Sequence, residues 1–203
     1  MSDINGYLIV AACAAIVTFA VTPFVMSLAR LKNWMAQPDP RKVHTTPTPD
    51  IGGVALLVGI ITALLLAWQM DRFGPLFDGS SEMLGVAIAA IAICAIGFID
   101  DVREISAPAK VAGTAGVGMV LVWAGVTMFY FRVPYFDVFV LSNDWIPLVT
   151  ILWLLVMTEA INLIDGLDGL ATGIVAIASA AFFLYSRHLG DLGLLAEPNI
   201  GPL

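Results

Sequence analysis

Apolar residues in this chain gather into six long runs, at about 7–31, 51–69, 83–99, 111–131, 147–164 and 170–185. Each run approaches the roughly 20 residues that a helix needs to cross a bilayer. Backbone groups in lipid must be satisfied within the segment, so the runs are expected to be helices. The glycines and alanines scattered through them suit close helix packing. The intervening stretches are short, with no soluble domain, internal repeat or low-complexity tract. The expected architecture is all-α: a polytopic transmembrane helical bundle of about six spans, forming a single multispan membrane domain over residues 1–203.

Composition agrees. The chain is 60% hydrophobic and 12% charged, whereas a soluble domain is about 25% charged and about 45–50% apolar. A net charge of −7 supplies no basic surface for nucleic acid, which is excluded as a partner. Cys13 and Cys94 both fall within apolar runs and read as small buried hydrophobes, with no disulfide framework or zinc spacing. The first run is too long for a signal peptide and lacks a basic leader or small-residue cleavage site, so it is expected to be a retained span. Orientation follows from Lys and Arg. Six of them (Arg30, Lys32, Arg41, Lys42, Arg103, Lys110) border the first and third loops, against three elsewhere (Arg72, Arg132, Arg187). The bias puts the N-terminus outside and loops one, three and five in the cytoplasm.

Polar chemistry is concentrated on that cytoplasmic side. Asp100-Asp101 ends the third run, and Asn162, Asp165 and Asp168 stand three residues apart where the fifth run opens into the sixth. A charge inside a membrane costs roughly 2.5–3.5 kcal/mol even on the lenient insertion scale, so such residues point to a working site. Two carboxylates about 5 Å apart repel by roughly 3 kcal/mol at an effective dielectric near 20. A proton or cation must compensate them; Mg²⁺, which takes one or two carboxylates plus phosphate oxygens, fits. Equally, the pair could end a solvated helix with Arg103 as partner. Asn162, Asp165 and Asp168 would share one face if the helix continued, while Gly166 and Gly169 make a turn just as plausible; either geometry gathers oxygen ligands. The first loop carries Arg41, Lys42 and His44, then Pro47-Thr48-Pro49, then Gly52-Gly53 at a helix start, a pattern suited to an anion. Its ordinary reading is positive-inside residues with interfacial prolines. Glu159, one turn before Asn162, either orients a polar neighbour or rests protonated against another helix. Lys110 either meets a lipid phosphate or snorkels as an anchor. The five tryptophans lie mostly near span ends, as in aromatic belts.

Taken in order, Arg41-Lys42-Val43-His44 through Pro47-Thr48-Pro49 to Gly52-Gly53, Phe98-Ile99-Asp100-Asp101, and Asn162-Leu163-Ile164-Asp165-Gly166-Leu167-Asp168-Gly169-Leu170-Ala171 resemble the polyprenyl-phosphate N-acetylhexosamine-1-phosphate transferases. The resemblance covers about residues 20–175. It implies transfer of a sugar 1-phosphate from a UDP-N-acetylhexosamine to polyprenyl phosphate (undecaprenyl or decaprenyl), with release of UMP, to begin a cell-envelope polysaccharide. The basic-His first loop looks like the branch using UDP-N-acetylglucosamine; the peptidoglycan branch, transferring phospho-N-acetylmuramoyl-pentapeptide, usually lacks it. By resemblance Asp100 and Asp101 prepare the lipid phosphate or join the metal site, Asn162 is a Mg²⁺ ligand (Mn²⁺ as substitute), and Asp165 and Asp168 lie near the metal or uridine. Arg41, Lys42 and His44 with Gly52 and Gly53 would hold the sugar nucleotide, and Lys110 the lipid phosphate. The setting implied is a bacterial plasma membrane with the active site on the cytoplasmic face, and a homodimer is open.

Two departures accompany it. Thr114 stands where the family commonly has Gln four residues after the lysine. Family members also have about ten or eleven spans, with a later Asp motif and a His-bearing loop, so this chain resembles an N-terminal part and is expected to be inactive alone. Three rivals are weaker. A small transporter would leave the clustering of three polar motifs on one side unexplained. A CDP-alcohol phosphotransferase would need Ala-Arg after its first Asp-Gly and further Asp residues downstream; here Leu170-Ala171-Thr172 follows the Asp-Gly repeat and no such Asp set appears. A truncated product kept only as an interaction partner is the third. The topology is directly testable. A cysteine replacing Thr46 should resist an impermeant maleimide in intact cells and react once they are permeabilised; ready labelling of intact cells would invert the orientation.

Overall fold

Small residues decide how these helices meet. In the computed structural model, which describes residues 4–36, 48–49, 51–78, 81–132, 138–167 and 169–193, the long helices are α1 (Asn5–Lys32), α2 (Gly53–Trp68), α4 (Glu82–Arg103), α5 (Ala107–Ala124), α6 (Ile146–Ile164) and α7 (Leu170–Asp191), and a short α3 (Gly74–Phe77) follows a 3₁₀ turn at Asp71–Phe73. Two short antiparallel ladders complete the described elements: β1 (Met35–Ala36) with β2 (Thr48–Pro49), and β3 (Tyr130–Arg132) with β4 (Val138–Val140). Among the described residues five helices are long and apolar enough to span a membrane, and α2 with the segment after it, bent by 93°, is either a broken sixth span or a re-entrant loop. The protein is therefore a multi-pass, helical membrane protein.

The chain forms two compact parts, one from Met1–Ser80 with Leu163–Leu203 and one from Ser81–Asn162. In the first, α1 and α2 pack along a stripe of Ala55, Gly59, Ala63 and Ala67, four residues apart and all buried. A methyl group on Gly59 would strike Thr18 and come within 2.8 Å of the Ala14 carbonyl oxygen. The backbones thus meet as the small-residue rule for membrane helices predicts. Asn33 ends α1 in the left-handed region (φ 58°), and the N–H of Trp34 returns to the Ala29 carbonyl at 2.9 Å. After Trp68 the chain turns by 93° and buries Phe73 completely. The Tyr7 ring meets Phe73 and Phe183 edge-on, and the Arg72 guanidinium lies 4.7 Å over it.

In the second part, α4 and α5 form a helical hairpin. Gly85 leaves no room for a side chain against Ala124, and a methyl on Gly118 would approach Ile151 of α6 to 2.9 Å. Thr150 secures the far end, accepting the Met128 N–H at 2.9 Å while donating to the Ile146 carbonyl at 2.8 Å.

Several expected helix ends shift, the third span running on to Arg103 as α4. Apolarity alone carries the fourth span to residue 131, but α5 stops at Ala124, where Gly125 adopts φ 94°. Gly pays no steric penalty there, and the β-branched and aromatic residues that follow favour extended backbone. Tyr130–Arg132 instead pairs with Val138–Val140. The last helix also runs to Asp191, beyond the expected residue 185. The packing predicts a contrast between two glycines. Gly59→Ala should cost about 1–3 kcal/mol by overpacking. Gly97→Ala, with nothing within 4 Å of the new methyl, should be neutral or gain about 0.5–1 kcal/mol. Thermal unfolding in detergent would decide it, and equal effects would contradict the packing.

Candidate active site

Asp100 lies in the last turn of α4 and Lys110 in the first turns of α5, with only Glu104, Ile105 and Ser106 between the helices. Glu104 makes the corner in the left-handed region (φ 50°), its N–H returning to the Asp100 carbonyl at 2.8 Å. This corner folds Lys110 back onto Asp100: Nζ lies 3.2 Å from Oδ2. The other Asp100 oxygen, Oδ1, accepts the Ile105 N–H at 3.2 Å. From α6, Glu159 brings Oε1 to 3.9 Å from the same ammonium. Lys110 is thus held between carboxylates of two different helices, with its side chain 19% exposed.

The arrangement runs against the helix dipoles. Carboxylates are disfavoured at a helix C-terminus and cations at an N-terminus, by about 0.3–1 kcal/mol each. Asp100 and Asp101 occupy the C-terminal turn of α4, and Lys110 lies near the start of α5. The ion pair relieves both placements at once. The three side chains Asp100, Lys110 and Glu159 bring two carboxylates to one ammonium.

Asp101 is exposed on the last turn of α4 and Asn162 exposed on the last turn of α6. Asn162 is three residues beyond Glu159, so the two share a helix face. Helix α6 ends at Ile164, and Asp165 and Gly166 form a turn. The turn, and not a continued helix, is therefore the geometry of this motif. Gly169 then adopts φ 80° as the cap of α7, accepting the Gly173 N–H at 2.8 Å. Asp165 is exposed and belongs with the first compact part. Gly52 and Gly53 open α2 as expected, with empty space where a side chain would project. Arg41, Lys42, His44 and Asp168 lie outside the described residues. Thr114, in the place of the family's Gln, is buried at 1% exposure.

The Asp101 carboxylate and the Asn162 carboxamide are each hard oxygen groups of the kind Mg²⁺ takes. Asp100 is already engaged by Lys110 and the Ile105 N–H. No cluster of three or more His, Cys, Asp or Glu suited to a metal occurs among the described residues. Mg²⁺ bound with phosphates needs only one or two carboxylates from the protein, so the residues present fit. The residue whose role the sequence leaves open is Glu159. Its signal is an acidic group inside an apolar run, but its partner is distant in sequence.

Residues 83–197 match the model of glycosyl transferase family 4. The chain is 37% identical over 186 residues to a decaprenyl-phosphate N-acetylglucosaminephosphotransferase of Mycobacterium leprae, covering 88% of this chain and 47% of that protein. It is 34% identical over 177 residues to a protein of Bacillus subtilis described as a probable undecaprenyl-phosphate N-acetylglucosaminyl 1-phosphate transferase, covering 87% and 47%. It is 31% identical over 198 residues to a phospho-N-acetylmuramoyl-pentapeptide-transferase of Desulforudis audaxviator, covering 86% and 59%. The chain spans about half the length of the curated relatives it matches. No solved structure matches it significantly. With a charged helix-end cluster inside the matched region, the chain belongs to glycosyl transferase family 4.

Proposed function

We propose that the protein transfers N-acetylglucosamine 1-phosphate from UDP-N-acetylglucosamine to a polyprenyl phosphate and releases UMP. The observation that carries the reading is the Lys110 ammonium held beside Asp100 at the joined ends of α4 and α5, within the region matched by the family. The N-acetylglucosamine branch is favoured because relatives so named reach 37% and 34% identity, against 31% for the muramoyl-pentapeptide relative. The site faces the cytoplasm of a bacterial plasma membrane, following the charge bias of the loops.

In the net reaction an oxygen of the lipid phosphate forms a bond to the sugar-linked phosphorus of the UDP-sugar. The bond from that phosphorus to the bridging diphosphate oxygen breaks, and UMP leaves with the electron pair. Such phosphoryl transfer depends mainly on positioning and charge neutralisation. Lys110 supplies a fixed positive charge and an N–H donor for a phosphate oxygen of the lipid substrate. Asp100 holds that ammonium. Asp101 and Asn162 are the residues that would hold Mg²⁺ (or Mn²⁺), which when bound neutralises diphosphate charge. Asp165, from the same motif as Asn162, serves the sugar nucleotide, as do Arg41, Lys42, His44 and Asp168 on the strength of the motifs they complete. The surrounding apolar helices keep the lipid tail in the bilayer while its phosphate meets the charged face.

In the full reading frame that carries these residues, Asp101→Asn, Asn162→Ala and Asp165→Asn should each lower turnover by about two to three orders of magnitude, the usual cost of losing an electrostatic stabiliser. The measurement is UMP release per folded molecule, with Mg²⁺ varied. Near-normal turnover in all three variants at normal folded amounts would remove the assignment.

A further inference from the structure

The Asp100–Lys110 contact leaves one question open, which is what keeps a flexible lysine in place. Lysine has a four-carbon stem and carries about 2 kcal/mol of rotamer entropy. A single carboxylate at 3.2 Å lets the ammonium pivot about it. Glu159 supplies a second point of attachment from a different helix, 3.9 Å away. Its Oε1 is buried and accepts no hydrogen bond among the described residues. Leaving a buried polar atom without a hydrogen bond costs about 1–3 kcal/mol. The side chain as a whole is 38% exposed, so it could turn toward water; the structure instead directs the oxygen inward, toward Lys110.

We propose that Glu159 is a positioning residue: its carboxylate fixes the Lys110 ammonium against Asp100 and so sets where that charge meets the phosphate of the lipid substrate. The inference rests on the transferase reading given above. With Asp100 at 3.2 Å and Glu159 at 3.9 Å without a hydrogen bond, the ammonium keeps N–H groups for a substrate oxygen. Glu159 touches no reacting atom and acts through Lys110.

The test is a double-mutant cycle in the full reading frame, purified in detergent and assayed with UDP-N-acetylglucosamine and polyprenyl phosphate. Glu159→Gln should lower kcat/KM for polyprenyl phosphate by about tenfold, within the coupling range of contacting groups, while KM for the UDP-sugar stays unchanged. Glu159→Asp, which keeps the charge, should recover part of the loss. The pair Glu159→Gln with Lys110→Met should be no worse than Lys110→Met alone. Wild-type kinetics in Glu159→Gln, or losses that multiply in the double variant, would overturn the proposal. So would failure of Glu159→Gln to fold while Lys110→Met folds normally, because the carboxylate would then serve folding independently of the ammonium. Absence of UMP release from the wild type, or full activity of Lys110→Met, would strike the transferase reading itself. The pairing is then read from the melting temperatures of the four proteins, with non-additive shifts expected and additive shifts contradicting it.

Discussion

A cation near the start of one helix and a carboxylate near the end of the one before it are each misplaced with respect to their own helix dipoles. The sharp corner at Glu104 brings the two misplacements together as the Asp100–Lys110 pair, and Glu159 adds a third charge from α6. At 3.2 Å and an effective dielectric near 20 the attraction is about 5 kcal/mol before desolvation, a gross figure that burial largely offsets. The net worth of the pair to stability is therefore small. What it supplies is position: one ammonium, at one place, where three helices end.

The rest of this part of the protein serves that placement. Membrane helices gain little from apolar contact with each other, since lipid is equally apolar, and must be held by close approach. Gly85 against Ala124 and Gly118 against Ile151 draw α4, α5 and α6 close enough for side chains of ordinary length to meet. A larger residue at Gly118 would push α5 from α6 and widen the 3.9 Å separation of Lys110 and Glu159, which bridges them. Thr150 ties the opposite end through the Met128 N–H. Close packing in the apolar stretch thus fixes the geometry at the polar end.

The six long helices were legible because long apolar runs leave a chain few options in a bilayer, whereas the two short ladders and the turn at Asp71–Phe73 were not. Asp100, Asp101 and Asn162 were legible as candidates because charge and amide are expensive next to lipid. The end of α5 was not, since Val126–Phe131 is as apolar as a span and its fate depends on Gly125 and on pairing with residues 138–140. Glu159 was open for a related reason: its role is set by Lys110, which lies far away in sequence. At Asp165 the pattern allowed helix or turn, and the end of α6 at Ile164 decides for the turn. Arg41, Lys42, His44 and Asp168 lie outside the described residues, so their part in the site rests on sequence resemblance.

A charged face of this kind is suited to moving a phosphorus atom, not only a sugar. The fate of the diphosphate tests that claim most directly. With UDP-N-acetylglucosamine carrying ³²P in its β-phosphate, membranes containing the full reading frame and given polyprenyl phosphate should pass the label into the lipid fraction, leaving unlabelled UMP in water. Transfer of the sugar alone would leave the label in water as UDP, and that result would contradict the account.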